Sequence, residues 1–170
     1  MIRTNTIEDK IRNELTSFAL LQHHKPYEHG SRGLDTFDCA GLVWSTYYEV
    51  FKIMIYHDGF GLSTTTKIMT NSYGKLTLFK KTSSYKDLSL VKKGDILFFH
   101  RQSLDDDIPK KYNFYPGHCG IYLGDYKFIH ALSSVGKVVI SDFNKNQYWL
   151  NVLVGSKDIV SDIKVLKKRF

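Results

Sequence analysis

Apolar residues recur with a helical period in the first part of the chain and with a strand-like period in the last. Ile7, Ile11, Leu15 and Phe18 fall at steps of four, four and three, and Thr6 with Asp9 forms a T-x-x-D pattern. This spacing predicts a capped amphipathic helix over residues 7–21. Between His23 and Asp38 the period is lost and Pro26, Gly30 and Gly33 enter, which predicts a loop. Beyond it Leu42, Val43, Thr46, Tyr47, Val50 and Phe51 share one helical face, so a second helix is expected with Asp38 as its N-cap. Residues 58–93 are rich in Ser, Thr and Lys, with a short helix expected about Thr65 to Thr70. After Gly94 come ILFFH at 96–100, CGIYLG at 119–124, KFIHAL at 127–132, KVVISDF at 137–143 and YWLNVLVG at 148–155. These β-branched and aromatic runs between turn residues predict five antiparallel strands, with a tight turn at Gly124 and Asp125. Helices first and strands second predict an α+β domain, its helices packed on one face of a sheet.

Composition narrows the class. The chain has 170 residues, 42% hydrophobic and 14% aromatic, enough to bury a core as one domain over residues 1–170 and inconsistent with intrinsic disorder. Two cysteines outside any C-x-x-C pattern remove the signatures of zinc fingers, thioredoxin-type sites and haem attachment. No apolar run approaches the roughly 20 residues of a spanning helix. The N-terminus, MIRTNTIEDKIRNEL, carries charges where a secretory signal would be apolar, so the protein stays where it is made, is delivered by other machinery, or has lost a leader. The net charge of +7 suits an anionic polymer: nucleic acid, teichoic acid or wall-peptide carboxylates. The basic residues are scattered and no nucleic-acid-binding motif accompanies them, so they are read as a solvated surface.

Candidate chemistry centres on Cys39. It follows the expected cap, in the first turn of a helix, where unpaired N–H groups and the helix dipole favour a thiolate. A cysteine nucleophile also needs a base. His118 opens one strand and His130 lies near the end of the next, so the two can sit side by side on one sheet face. Cys119, one residue beyond His118, is expected on the opposite face as core packing, with no disulfide to Cys39. His23, His24, His29, His57 and His100 match no metal spacing, and Asp105 to Asp107 lack the pattern of a calcium loop.

Three blocks in order, FDCAGLVWSTYY at 37–48, LVKKGDILFFH at 90–100 and HCGIYLGDYKFIHA at 118–131, resemble the NlpC family of papain-like cysteine peptidases that cut bacterial cell-wall peptides. The resemblance covers roughly residues 20–155 and rests on ordered blocks more specific than any one of them. It implies a papain-like fold, with Cys39 as nucleophile, His118 as general base and then acid, and His130 as the residue that orients His118. Tyr27, in KPYEHG, matches the family's proline-tyrosine element near the oxyanion site, and Asp38 matches an aspartate that recognises the free amino end of the stem peptide. Ala40 stands where many members carry a substrate-binding serine, so one hydrogen bond to the peptide amine is expected to be missing.

The resemblance implies hydrolysis of the bond between D-glutamate and the diamino acid of the peptidoglycan stem, with an amidase cut next to the sugar lactate as the alternative. It implies no cofactor, and action at the bacterial wall or periplasm. Delivery by a phage tail or secretion machine and an immunity partner are compatible with it. Two rivals use the residues differently: zinc held by Cys39, His118 and His130, or a non-catalytic basic module binding wall polymer or nucleic acid. The segment from Arg101 to Gly117 is either a rim of the substrate groove or a solvated loop.

Overall fold

The computed structural model describes residues 5–55, 64–79, 88–101 and 115–162. Helix α1 (Ile7–Leu21) begins with a complete capping box, in which the Thr6 hydroxyl accepts from the Asp9 N–H while the Asp9 carboxylate accepts from the Thr6 N–H. Helix α2 (Cys39–Phe51) starts at Asp38, as the sequence predicts, and the short α3 (Thr64–Thr70) follows. Strands β1 (Lys75–Leu78), β2 (Ile96–Phe99), β3 (His118–Gly124), β4 (Lys127–Leu132) and β5 (Lys137–Asp142) lead to helix α4 (Gln147–Val152) and strand β6 (Leu153–Asp158).

The strands form one antiparallel sheet of six in the order β1-β6-β2-β3-β4-β5, where the sequence pattern predicts five. The α+β class holds; two details differ. Strand β1 lies in the segment that carries little periodicity. The run at 148–155 is split: Asn146 caps a helical turn that buries Trp149 and Leu150, and only from Leu153 does the chain become extended. Short apolar runs look alike as helix and strand, and the gap between β1 and β2 that β6 fills is a tertiary fact. The hairpin between β3 and β4 turns through Asp125 and Tyr126, both at positive φ, the geometry of a two-residue turn that follows strand twist.

Alternation along the strands sorts the core into two layers. Ile96, Phe98, Cys119, Ile121, Ile129 and Ala131 face Leu42, Val43 and Tyr47 of α2 and Ile11 and Leu15 of α1. Leu97, Phe99, Tyr122 and Phe128 face Phe143, Trp149, Leu150 and Leu153 on the other side. Strand β2 is therefore buried on both faces, which explains an unbroken ILFF. The Tyr47 hydroxyl donates to the Gly94 carbonyl (2.6 Å), fastening α2 to the start of β2.

One buried cluster was not legible in the apolar pattern. Arg12, 5% exposed on the inner face of α1, donates to Glu8 (2.9 Å), Asp95 (2.8 Å) and Asp158 (2.8 Å), and also to the Lys93 carbonyl and the Ser161 hydroxyl. It ties α1 to the entrance of β2 and the exit of β6. Among the described residues no helix is long and apolar enough to cross a membrane.

Candidate active site

Cys39 is placed by its local sequence. Asp38, extended at φ −93° and ψ 179°, accepts from the Gly41 N–H (2.6 Å) and from the Gly30 N–H (2.9 Å), so one carboxylate caps α2 and clamps the preceding loop. Gly41 is required by that approach, because a Cβ there would overlap the Ser31 carbonyl. Burial, and then the neighbouring Cys39, raise the Asp38 carboxyl above its usual range, against the pull of those N–H groups. Tyr27 enters on the same loop, held by its own N–H on the Gly136 carbonyl (2.8 Å) and by bridging to Phe37. Its ring packs on the core beside Cys39, and burial together with the Cys39 and Asp38 charges raises its phenol.

The histidines come together across the β3–β4 hairpin. His118 Nε2 lies 2.7 Å from His130 Nδ1, and His130 Nε2 lies 2.8 Å from the Ser141 hydroxyl on β5. Gly120 makes room for the second imidazole: a Cβ there would lie 3.1 Å from the His130 Cβ and 2.8 Å from the Ile129 carbonyl oxygen. Both histidines are buried, His130 completely, and burial, the adjacent His118 and the Arg101 charge push the His130 imidazole well below its ordinary pKa. It is neutral at pH 7. Trp149 of α4 lies edge-on to His130 at 4.7 Å and tilted against His118 at 5.6 Å, with Phe99 and Phe128 completing an apolar wall.

At the sulphur the expected alternation holds, but its consequence does not. Cys119 does face the helices while His118 faces Trp149, yet Cys119 is not remote from Cys39. The Cys39 sulphur lies 3.9 Å from the Thr65 hydroxyl, itself 3.9 Å from the Cys119 sulphur. Both cysteines are free. The Cys119 thiol and then His118 hold the Cys39 thiol well below its ordinary pKa despite burial. Burial and the Cys39 charge push Cys119 well above its own.

Thus Cys39, His118, His130, Asp38 and Tyr27, expected from the sequence, converge at one end of the sheet. Ser141, Trp149, Thr65 and Cys119 join them; Ser141 sits at alternating register from Val139, opposite His130, and a hairpin alignment could have flagged it. A groove of about 570 Å³ beside the histidine pair is lined in part by Arg101, Ser134, Val139, Ser141, Tyr148 and Trp149. Asp105 to Asp107 and the aromatic patch at Tyr112 and Phe114 lie outside the described residues. Among the described residues no group of three or more His, Cys, Asp or Glu side chains is arranged to hold a metal; the two imidazoles aim a nitrogen at each other.

A cysteine at a helix start, a histidine opening a strand of an antiparallel sheet, and a polar group behind that histidine come together on a papain-like α+β fold. The NlpC/P60 family model matches residues 24–158, and the chain belongs to the NlpC/P60 family. It is 30% identical over 132 residues, 78% of this chain and 30% of the relative, to the probable peptidoglycan endopeptidase LytE of Bacillus subtilis. Against the gamma-DL-glutamyl hydrolase of the same organism it is 32% identical over 72 residues, 42% of this chain and 16% of the relative. The chain therefore spans less than a third of either relative's length. The solved structure of an NlpC/P60 family protein from Bacillus cereus shares the fold, with a TM-score of 0.61 and 17% identity over 88% of this chain and 40% of that one.

Proposed function

We propose that this chain is a cysteine endopeptidase that hydrolyses bacterial peptidoglycan stem peptides between D-glutamate and the diamino acid, with Cys39, His118 and His130 as its triad. The observation that carries the reading is a half-buried cysteine at the start of a helix, next to a buried line of hydrogen bonds from His118 through His130 to the Ser141 hydroxyl. His118 Nε2 and His130 Nδ1 share one proton and His130 Nε2 pairs with the Ser141 hydroxyl, so Ser141 and Trp149 fix the plane of His130 and His130 fixes that of His118, leaving His118 Nδ1 to serve the thiol.

Cys39 attacks the scissile carbonyl, and the developing oxyanion meets the Cys39 N–H at the start of α2 and the Tyr27 hydroxyl. His118 protonates the leaving amine, then takes a proton from the water that resolves the acyl-enzyme. The Asp38 carboxylate, next to the nucleophile, receives the free amino end of the peptide, with Ala40 contributing no hydrogen bond there. The names of the two Bacillus subtilis relatives, a gamma-DL-glutamyl hydrolase and a probable peptidoglycan endopeptidase, support the substrate class and action at the wall.

Mass spectrometry of purified peptidoglycan after incubation with wild type and with Cys39→Ala, in the presence of chelator, tests the reading. Fragments released by the wild type alone, with masses of cleavage after D-glutamate, are expected. Fragments cut at the lactate amide would replace the endopeptidase by an amidase, and absence of cutting would remove the wall substrate.

A further inference from the structure

We propose that Arg101 and the groove it lines form a leaving-side subsite that holds a carboxylate of the diamino acid released by cleavage. The inference rests on the reading of Cys39 and His118 as nucleophile and acid, and it adds a residue that selects the substrate beyond the scissile bond.

Three observations carry it, and the first is place. The described lining of the groove comes from Arg101 after β2, from the β4–β5 hairpin and from α4, and not from α2 or the loop that carries Tyr27 and Asp38. Two of its residues also hold the imidazole pair: the Ser141 hydroxyl lies 2.8 Å from His130 Nε2, and Trp149 stands edge-on to that ring. A peptide whose amino end rests at Asp38 and whose scissile amide meets His118 therefore continues past Trp149 into this groove.

The second is charge. Arg101 is exposed, its N–H donates to the Tyr115 carbonyl (2.8 Å), and its guanidinium donates to the Ser133 hydroxyl at 3.3 Å. Among the described residues no carboxylate pairs with it. Arg12 meets three carboxylates, whereas Arg101 offers a planar fork, matched to a carboxylate, to whatever enters the groove. Its charge also acts on His130 and Tyr27, in keeping with a place beside the catalytic end of the sheet.

The third is the wall. Val135, Ile140 and Tyr148 are large apolar side chains left exposed, and all three line this groove. Apolar surface beside one charged group suits the aliphatic stem of a diamino acid that ends in, or branches to, a carboxylate.

The test is calorimetric binding of three soluble stem peptides to the Cys39→Ala variant, so that affinity is read without turnover. They are L-Ala-γ-D-Glu-L-Lys, its terminal amide, and the meso-diaminopimelate counterpart with its terminal carboxyl amidated. All share the acyl side and differ in the carboxylate of the leaving residue. One charge-assisted hydrogen bond corresponds to about a tenfold change in Kd. The lysine amide is expected to bind about tenfold more weakly than at least one of the other two, and the stronger binder identifies the carboxylate that Arg101 takes. Adding Arg101→Gln is expected to bring the three to equal affinity, and Arg101→Lys, charged but without the fork, to retain part of the difference. Equal affinities before that change, a difference that survives it, or failure of every peptide to bind would overturn the proposal. Discrimination that depends on Arg101, in a protein whose wild type cuts none of the peptides, would overturn the endopeptidase reading and leave this one standing. Cutting without discrimination would do the reverse.

Discussion

The molecule holds two buried polar clusters at different parts of the sheet, and they use their hydrogen bonds in opposite ways. Around Arg12 the guanidinium is saturated: Glu8, Asp95, Asp158, Ser161 and the Lys93 carbonyl take its donors, and Asp95 also accepts from the Lys92 N–H. Around His118 the bonds run in a line, from His118 through His130 to Ser141, and the half-buried Cys39 lies next to the open end. A saturated cluster can only hold elements together. A chain with one open, polarised end can pass a proton to something that arrives there. Burial is common to both; what separates structure from chemistry is whether an atom remains for a newcomer.

The sharpest way to break that contrast is to truncate each cluster. Cys39→Ala should lower peptide cleavage on the order of 10⁶-fold, as loss of a nucleophile does, with little change in the urea midpoint. Arg12→Leu should do the reverse. It leaves the buried Asp95 and the part-buried Asp158 without their guanidinium partner, so urea unfolding should show a loss of about 3–5 kcal/mol, while turnover per folded molecule is unchanged. A large loss of kcat in folded Arg12→Leu would mean that the two clusters are coupled.

Smaller effects follow from protonation, and here the clusters should respond with opposite signs. The folded-state pKa of His130 lies well below its ordinary value. The unfolded chain therefore binds the proton first, and stability is lost as pH falls below about 6.5, by about 1.4 kcal/mol per unit while the two states differ. His130→Asn should remove that contribution, flattening the acid side of the urea-stability profile relative to wild type. Asp95 is raised to about 7 by burial and by the Asp158 carboxylate, which outweigh the shared Arg12. Its folded form binds the proton first, so its contribution is present at low pH and is lost as pH rises from about 4 to about 7. Asp95→Asn should remove a gain on acidification where His130→Asn removes a loss.

At Lys157, a buried cation like Arg12, the expected effect is of similar size. Lys157 donates to the carbonyls of Ile68 (3.2 Å), Met69 (2.9 Å) and Asn71 (2.8 Å) at the end of α3. Lys157→Met should cost about 1–3 kcal/mol in urea unfolding, because a thioether cannot satisfy those acceptors. Since α3 carries Thr65, a measurable change in Cys39 alkylation in the same variant would link that anchor to the site.

Much of the site was legible in the chain itself. The D-C-A-G string placed a cysteine behind a cap, the hairpin signal at Asp125 placed His118 and His130 on adjacent strands, and family resemblance joined them. What eluded pattern reading was of one physical kind. Arg12 and Lys157 are charged residues in positions that periodicity assigns to surface or leaves unassigned, and each is buried only because partners distant in sequence satisfy it. Trp149 was read as strand because an apolar run of that length does not distinguish helix from strand. Cys119 was assigned to the far face by alternation, which is correct for the middle of a strand and insufficient at its end.

Sequence alone determined the local matters: where α1 and α2 begin, which residue caps them, where the chain reverses, and which faces of the strands are apolar. These depend on interactions within a few residues, whose energies are set by neighbours in the chain. Tertiary structure alone decided that β6 enters between β1 and β2, that Trp149 covers the imidazoles, and that the Thr65 hydroxyl lies 3.9 Å from both Cys39 at the start of α2 and Cys119 near the start of β3. Such contacts form only when elements far apart in sequence bury their apolar faces together, and the polar atoms carried along must then find whatever partners the packing supplies.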